Sequence, residues 1–280
     1  MNYPTMLVHL DRSPRSATRA TLAAGWARAF GSHLVGLVPT GLYDGVIPAD
    51  EIDGSADDSV AASAGHLKRR SDAIARAFHD SIAGDGPLSC EVRLSDEPTV
   101  QALVRHGRTS DLVVLGQDGV GEPRDITAHR LVDPVLLALG RPVLVLPGVG
   151  TVSGLPRQVL VGWDGSRAAA VALGAAVPVL RRAARVTLVS LRHPGDMAAP
   201  PDWQIPEVLA FLHRHGVRAT AESDVVESGL ADALLSRVSD HGADLLVVGA
   251  YGHGRLRERA LGGVTRQLLA EMTVPLLLGH

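Results

Sequence analysis

Short runs of apolar residues recur along this chain, with helical patterns between them. In the second half they fall near 158–163, 185–191, 217–225, 244–249 and 274–278. All but 217–225 are continuously apolar rather than alternating, as strands buried on both faces are. Ser166 suits a helix N-cap, and the alanine-rich stretch 167–180 follows it. Pro178 lacks the N–H that an unbroken helix needs, so a kink or an early end is expected there. In the first half, Ser13-Pro14 places a proline just inside a helix start. Val60, Ala64, Leu67, Ser71, Ile74, Phe78 and Ile82 form a helical stripe with one weak position. Strands alternating with helices predict an α/β fold with a parallel, doubly wound sheet. Such sheets bind ligands beyond the carboxyl ends of their strands, where the strand order reverses. Asp11, Asp164, Gly116 and Gly249 all fall at predicted carboxyl ends.

The pattern occurs twice. Met6-Leu-Val-His-Leu-Asp11-Arg-Ser13 matches Val159-Leu-Val-Gly-Trp-Asp164-Gly-Ser166. Asp111-Leu-Val-Val-Leu-Gly116 matches Asp244-Leu-Leu-Val-Val-Gly249, and Arg141-Pro142-Val-Leu-Val-Leu matches Val274-Pro275-Leu-Leu-Leu. Gly116 and Pro142 are 26 residues apart, as are Gly249 and Pro275. A long repeat with matched internal spacing predicts a duplicated domain. The copies are expected at 1–148 and 157–280, joined by a glycine- and proline-rich linker at 149–156.

Length, charge and composition narrow the classes. A chain of 280 residues can hold two domains, each with its own core. No apolar run approaches the roughly 18 residues of a spanning helix. The N-terminus has neither a basic region nor a cleavable apolar segment, and Cys90 is the single cysteine. The expected compartment is therefore the cytoplasm. A net charge of −3 argues against a dedicated nucleic-acid binder. Lys68 is the only lysine and lies in a polar Lys-Arg-Arg run, which excludes a Walker lysine and disfavours Schiff-base chemistry.

The stretch with the most chemistry is Gly249-Ala-Tyr-Gly252-His-Gly-Arg-Leu-Arg-Glu-Arg-Ala-Leu-Gly262-Gly263-Val264-Thr265. It follows a predicted strand that includes Val248 and precedes a predicted helix, 266–272. Glycines let the backbone approach a ligand, and a helix start offers unpaired N–H groups to an anion. The spacing Gly-x2-Gly-x9-Gly is neither a Walker loop nor a Rossmann fingerprint. The same glycines would also serve turns and close helix–sheet packing. Arg255, Arg257 and Arg266 could neutralise phosphate, although arginines on a surface loop are usually solvated.

This spacing, the Asp-x-Ser after the first strand and the duplication resemble the universal stress protein family, in its tandem form. The resemblance implies two tandem doubly wound domains related by a pseudo-twofold. Each would hold a five-stranded, mainly parallel sheet of the Rossmann-like, adenine nucleotide alpha hydrolase type. The last strands, near 142–146 and 274–278, are expected to meet, because an uncovered apolar edge strand aggregates. The resemblance also implies that Asp164 contacts adenine, with Val248, Gly249, Gly252, Gly262, Gly263, Val264 and Thr265 lining the phosphate segment. The ligand would be ATP or another adenine nucleotide, with Mg²⁺ as its companion. Asp164 could equally turn the chain toward Ser166, and the two roles are compatible. The family pattern has Ser or Thr where this chain has Gly263. That loss removes one neutral hydrogen bond, about 0.5–1.5 kcal/mol.

The first copy departs further. Aligned on Gly116 and Gly119, it holds His129 and Arg130 where the second copy has Gly262 and Gly263. Pro123 stiffens the segment, and Asp118, Glu122 and Asp125 repel phosphate. This copy is expected not to bind ATP in the family manner. No His-Glu-x-x-His, Cys-x-x-Cys or Gly-x-Ser-x-Gly motif occurs, so neither metal site nor catalytic residues are expected. The reading is a regulatory stress-response protein rather than an enzyme, at most a slow ATPase. Its partner would be an adenine nucleotide, with no nucleic acid and no membrane. The copies would form an intramolecular pseudo-dimer, and a homodimer of tandem chains is compatible with the resemblance. The rival reading is a structural or partner-binding module that takes no nucleotide.

Overall fold

The computed structural model describes residues 2–41, 44, 56–84, 86–119, 130–150, 152, 154–194, 204–227, 229–251 and 263–280, without the side chains of 56–64 and 66. Two compact units divide the chain, Tyr3–Gly140 and Arg141–His280.

The first unit contains β1 (Thr5–His9), α1 (Ser16–Phe30), β2 (His33–Pro39), α2 (Ala56–Ile82), β3 (Cys90–Ser95), α3 (Thr99–Gly107), β4 (Leu112–Gly116) and α4 (Val132–Leu139). Its strands run in the order β3-β2-β1-β4, all parallel, with Leu7 opposite Val35 on one side and Val113 on the other. Asp111, just before β4, accepts from the Thr5 N–H at 2.8 Å and fixes where β1 begins. The Tyr3, Trp26 and Phe30 rings meet edge to face at the base of α1. Of the predicted α2 stripe, Leu67, Ser71, Ile74, Phe78 and Ile82 are all buried. Val60 and Ala64 lie outside the described side chains. Ser71 satisfies its hydroxyl on the Leu67 carbonyl at 2.9 Å, which lets a polar residue hold the weak position.

The second unit contains β5 (Val143–Leu146), β6 (Gln158–Gly162), α5 (Arg167–Leu180), β7 (Arg185–Arg192), α6 (Gln204–Arg214), β8 (Ala219–Val225), α7 (Leu230–Asp240), β9 (Leu245–Gly249), α8 (Gly263–Glu271) and β10 (Leu276–Gly279). Its order is β5-β10-β9-β6-β7-β8. The order reverses beside β6, which pairs in parallel with both β7 and β9. Asp244 repeats the role of Asp111, accepting from the Arg157 and Gln158 N–H groups at 2.9 Å each. The two last strands meet as expected. β5 pairs antiparallel with β10, Leu144 opposite Leu277, and every residue of both is buried.

α5 runs through Pro178 to Leu180, so of the kink or early end expected there the early end does not occur. The proline's missing N–H removes one i→i−4 helix bond, and burial of Val177, Val179 and Leu180 holds the turn in place nonetheless. α1 begins at Ser16, so Pro14 precedes the helix instead of opening it. Ser13 is drawn away from capping because its N–H and hydroxyl both donate to the Asp11 carboxylate, at 2.9 and 2.6 Å.

α5 lies unusually close to the sheet. A Cβ on Gly249 would fall 2.3 Å from the Ala169 nitrogen, and one on Gly279 would fall 2.5 Å from the Ala172 nitrogen. Both collisions are with helix backbone, which cannot rotate away. Gly174 in the same helix has open space at its Cβ position. Gly249→Ala should therefore cost about 1–3 kcal/mol in chemical denaturation, the usual scale of overpacking. Gly174→Ala should be neutral or stabilising, by up to about 1 kcal/mol. Equal stability of Gly249→Ala and the wild type would refute this account of the helix–sheet contact.

Candidate functional site

The candidate site lies at the carboxyl end of the second unit's sheet, where β6 and β9 adjoin at the reversal of strand order. β6 leads into Asp164, whose Oδ1 accepts from the Ser166 N–H at 2.9 Å. This is the Asx turn anticipated from the sequence. Ser166 is the N-cap of α5, and its hydroxyl accepts from the Ala169 N–H at 3.1 Å.

β9 delivers Val248, which is buried, and Gly249, which is half-buried. The chain then turns through Ala250 and Tyr251, with Tyr251 at φ 59. The Ala250 carbonyl lies 3.1 Å from His280 Nδ1. At the far end of the segment, Gly263 opens α8. Among the described residues a Cβ there would meet no heavy atom within 4 Å. Val264 is exposed at 37%, while Thr265 is buried. The Thr265 hydroxyl accepts from the Tyr251 N–H at 3.3 Å, tying the start of α8 to the end of β9. Asp164, Val248, Gly249, Gly263, Val264 and Thr265 are thus all described. Gly252 and Gly262 lie outside the described residues, as do Arg255, Arg257 and Glu258. Two of the described residues already have structural work. Gly249 gives α5 its close approach, and Thr265 holds Tyr251.

The matching place in the first unit is arranged differently. Arg19 projects from α1 over the end of β4, its Nη1 only 2.4 Å from where a Cβ on Gly116 would stand. Its Nε donates to the His9 carbonyl at 2.7 Å. Its Nη2 lies 2.9 Å from Asp11 Oδ2, an ion pair rather than an aligned hydrogen bond. His9 Nδ1 stands 3.7 Å from the same oxygen. Burial pushes the Asp11 carboxyl up. The Arg19 guanidinium, then His9 and the Ser13 hydrogen bonds, outweigh it and hold Asp11 well below the usual carboxylate range. Asp118 takes the start of α4. Its carboxylate accepts from the Leu131 N–H at 2.8 Å and the Val132 N–H at 3.1 Å. An aspartate therefore occupies the helix start where an anionic ligand would otherwise find donors.

Counted from Asp11 and Asp164, the counterpart of Arg19 is Ala172. Counted from Gly116 and Gly249, the counterpart of Asp118 is Tyr251. Neither Arg19 nor the capping role of Asp118 was read from the sequence. The available signal for Arg19 was its phase: it shares the buried face of α1 with Ala23, Trp26 and Phe30. His129, Pro123, Glu122 and Asp125 lie outside the described residues, so the first-copy contrast rests on Arg19 and Asp118 instead.

Among the described residues no group of three or more His, Cys, Asp or Glu side chains could hold a metal ion. No helix among them is long and apolar enough to cross a membrane.

Residues 156–279 match the model of the universal stress protein family. No curated protein matches the chain. Among solved structures, a universal stress protein from Archaeoglobus fulgidus DSM 4304 is similar over 98% of this chain and 94% of its own, at 17% identity and a TM-score of 0.70. A functionally unknown protein from Pseudomonas aeruginosa PAO1 covers 98% of this chain and 92% of its own, at 16% identity and a TM-score of 0.51. A structure described as a putative universal stress protein from Pseudomonas aeruginosa UCBPP-PA14 covers the same shares at 15% identity and a TM-score of 0.50. At these identities the likeness is one of fold, and the family assignment rests on the sequence model. The domain at residues 156–279 is thus one of the universal stress protein family.

Proposed function

We propose that the second copy, 157–280, binds ATP or a related adenine nucleotide, and that the first copy, 1–148, is a structural partner that does not. The linker would be 149–156, and the protein would act in the cytoplasm as a nucleotide-responsive regulator. In this reading Asp164 receives the adenine, and the phosphates lie along Val248, Gly249, Gly252 and 262–265. Mg²⁺ would accompany the nucleotide.

The observation that carries the reading is the contrast between the copies. In the first, Arg19 lies over the glycine that ends β4, and Asp118 takes the donors at the start of α4. In the second, both side chains are replaced, by Ala172 and Tyr251, and α8 opens with a glycine whose Cβ position meets no atom of the described residues. The structural work of Gly249 and Thr265 supports the rival reading, a partner-binding module without nucleotide. Each residue is accounted for without a ligand.

Calorimetric titration separates the two. ATP should bind with one site per chain, and Gly262→Val should abolish it by filling the phosphate approach. Gly263→Ser, which has room, should restore the missing hydroxyl and tighten binding by about 0.5–1.5 kcal/mol. Two equivalent sites per chain would overturn the asymmetry, and no heat with any adenine nucleotide would favour the rival. Bound ATP should persist, with steady-state hydrolysis below about 1 s⁻¹, the low end of ordinary enzymes.

The structural role of the first copy has its own test. Asp11 is held below its ordinary value of 3.8 in the fold, so its stabilisation is complete above that pH and is lost as pH falls through the folded value. Arg19→Met leaves the buried carboxylate without its main partner and should cost about 3 kcal/mol at neutral pH. The deficit relative to wild type should narrow in acid below pH 3.8. A deficit unchanged by pH would mean that Arg19 acts by packing alone.

A further inference from the structure

The first unit has an opening that the nucleotide reading does not use. A cavity of about 530 Å³ runs between α1 and α2, within the range of small-molecule pockets. Arg19, Gly116 and Asp118 do not line it, and it adjoins the plugged end of β4 through Asp11 and Ser13. Its floor is apolar: Leu10, Ala20, Ile74 and Phe78 are buried there. The space exists because the facing helices present alanines. Ala17 on α1 and Ala73 and Ala77 on α2 are exposed along the groove where larger side chains would close it.

The polar end of this cavity is cationic. Among the described residues Arg12, Arg69 and Arg70 line it, with Asp11 the one carboxylate. The Asp11 charge is already matched by Arg19. Arg12 and Arg69 are exposed and form no ion pair or hydrogen bond among the described residues. An apolar trough closed at one end by the exposed guanidinium groups of Arg12 and Arg69 is complementary to one kind of ligand, an amphipathic anion whose chain fills the trough and whose head meets the arginines. Guanidinium suits a planar carboxylate, which it can engage with two parallel N–H donors.

We propose that the α1–α2 groove of the first copy binds a medium-chain carboxylate as a free molecule, head group against Arg12 and Arg69. The inference is independent of nucleotide binding in the second copy.

Decanoate, titrated calorimetrically into the full chain, is the probe. The expected result is one site per chain. Decanol supplies the chain without the charge, and acetate the charge without the chain; each should bind at least about tenfold more weakly, the weight of one charge-assisted hydrogen bond or a few buried methylenes. Arg12→Gln/Arg69→Gln should weaken decanoate by about tenfold or more while leaving decanol unchanged. Ala73→Leu is a good helix former at an exposed position, so the fold is retained, and the added side chain should abolish binding of both. The proposal is overturned if decanoate shows no binding, if decanol binds as well as decanoate, or if Ala73→Leu binds like wild type. Retention of the protein on phosphatidylglycerol vesicles, lost in Arg12→Gln/Arg69→Gln, would equally overturn it by making the arginines a membrane contact.

Discussion

What lies on the glycine that ends the fourth strand of each copy sets the character of that copy. In the second unit the backbone of Ala168 and Ala169 rests on Gly249, and Ala172 rests on Gly279, so α5 is pressed against β9 and β10. A helix can approach this closely only if the strand residue has no Cβ and the helix residues are small, and both conditions hold in the sequence. In the first unit the same position, Gly116, carries the Arg19 guanidinium instead. A buried arginine requires a counter-charge, and Asp11 supplies it. Asp11 in turn draws Ser13 away from α1 and delays the helix to Ser16. Where small residues of α5 press on the sheet of the second copy, the arginine of the first copy brings a polar core with its own ion pair.

The sheet edges follow from composition. β10 would present buried leucines along an open edge if β5 did not cover it, and the antiparallel β5 is as apolar as β10 itself. The edge strand β8 of the same unit is different. Its Asp224 pairs with Arg237, and its Glu222 lies 3.1 Å from His241. β3, the corresponding strand of the first unit, carries a Glu91–Arg93 pair. Charged residues along an edge disfavour pairing with another chain, so the apolar strands are spent inside the sheet and the charged ones at its rim.

Most of the fold was legible because strands buried on both faces read as uninterrupted apolar runs. The matched spacing of those runs exposed the duplication without any tertiary information. The Ser166 cap and the Asp164 turn were legible as well, since both are local hydrogen bonds with local sequence signs. The departures were tertiary. Pro178 signalled a kink or a helix end, but the burial around it carried the helix on to Leu180. Asp118 was read as a charge that repels phosphate, whereas its carboxylate already engages the donors a phosphate would use. Arg19 was overlooked because an arginine in an alanine-rich helix is usually solvated. Only its phase with Trp26 and Phe30 marked it as inward-facing. The α1–α2 groove was hidden for the opposite reason: it is made by what the alanines leave out.

Under the proposed division of labour, the two copies differ in what stabilises their strand ends. The first carries its own charges there, Arg19 against Asp11 and Asp118 against the α4 donors, so an added anion has no donor set to complete. The second leaves the start of α8 to a glycine and ties it to β9 by the Thr265–Tyr251 bond. A ligand that binds only the folded second copy stabilises it by RT ln(1 + [L]/Kd), about 2.7 kcal/mol at a hundredfold excess over Kd. The first copy gains nothing directly from that term. A duplicated fold with one self-satisfied site and one open site therefore responds to nucleotide concentration through a single half. The other half would not respond to nucleotide directly, as the proposed division of labour requires.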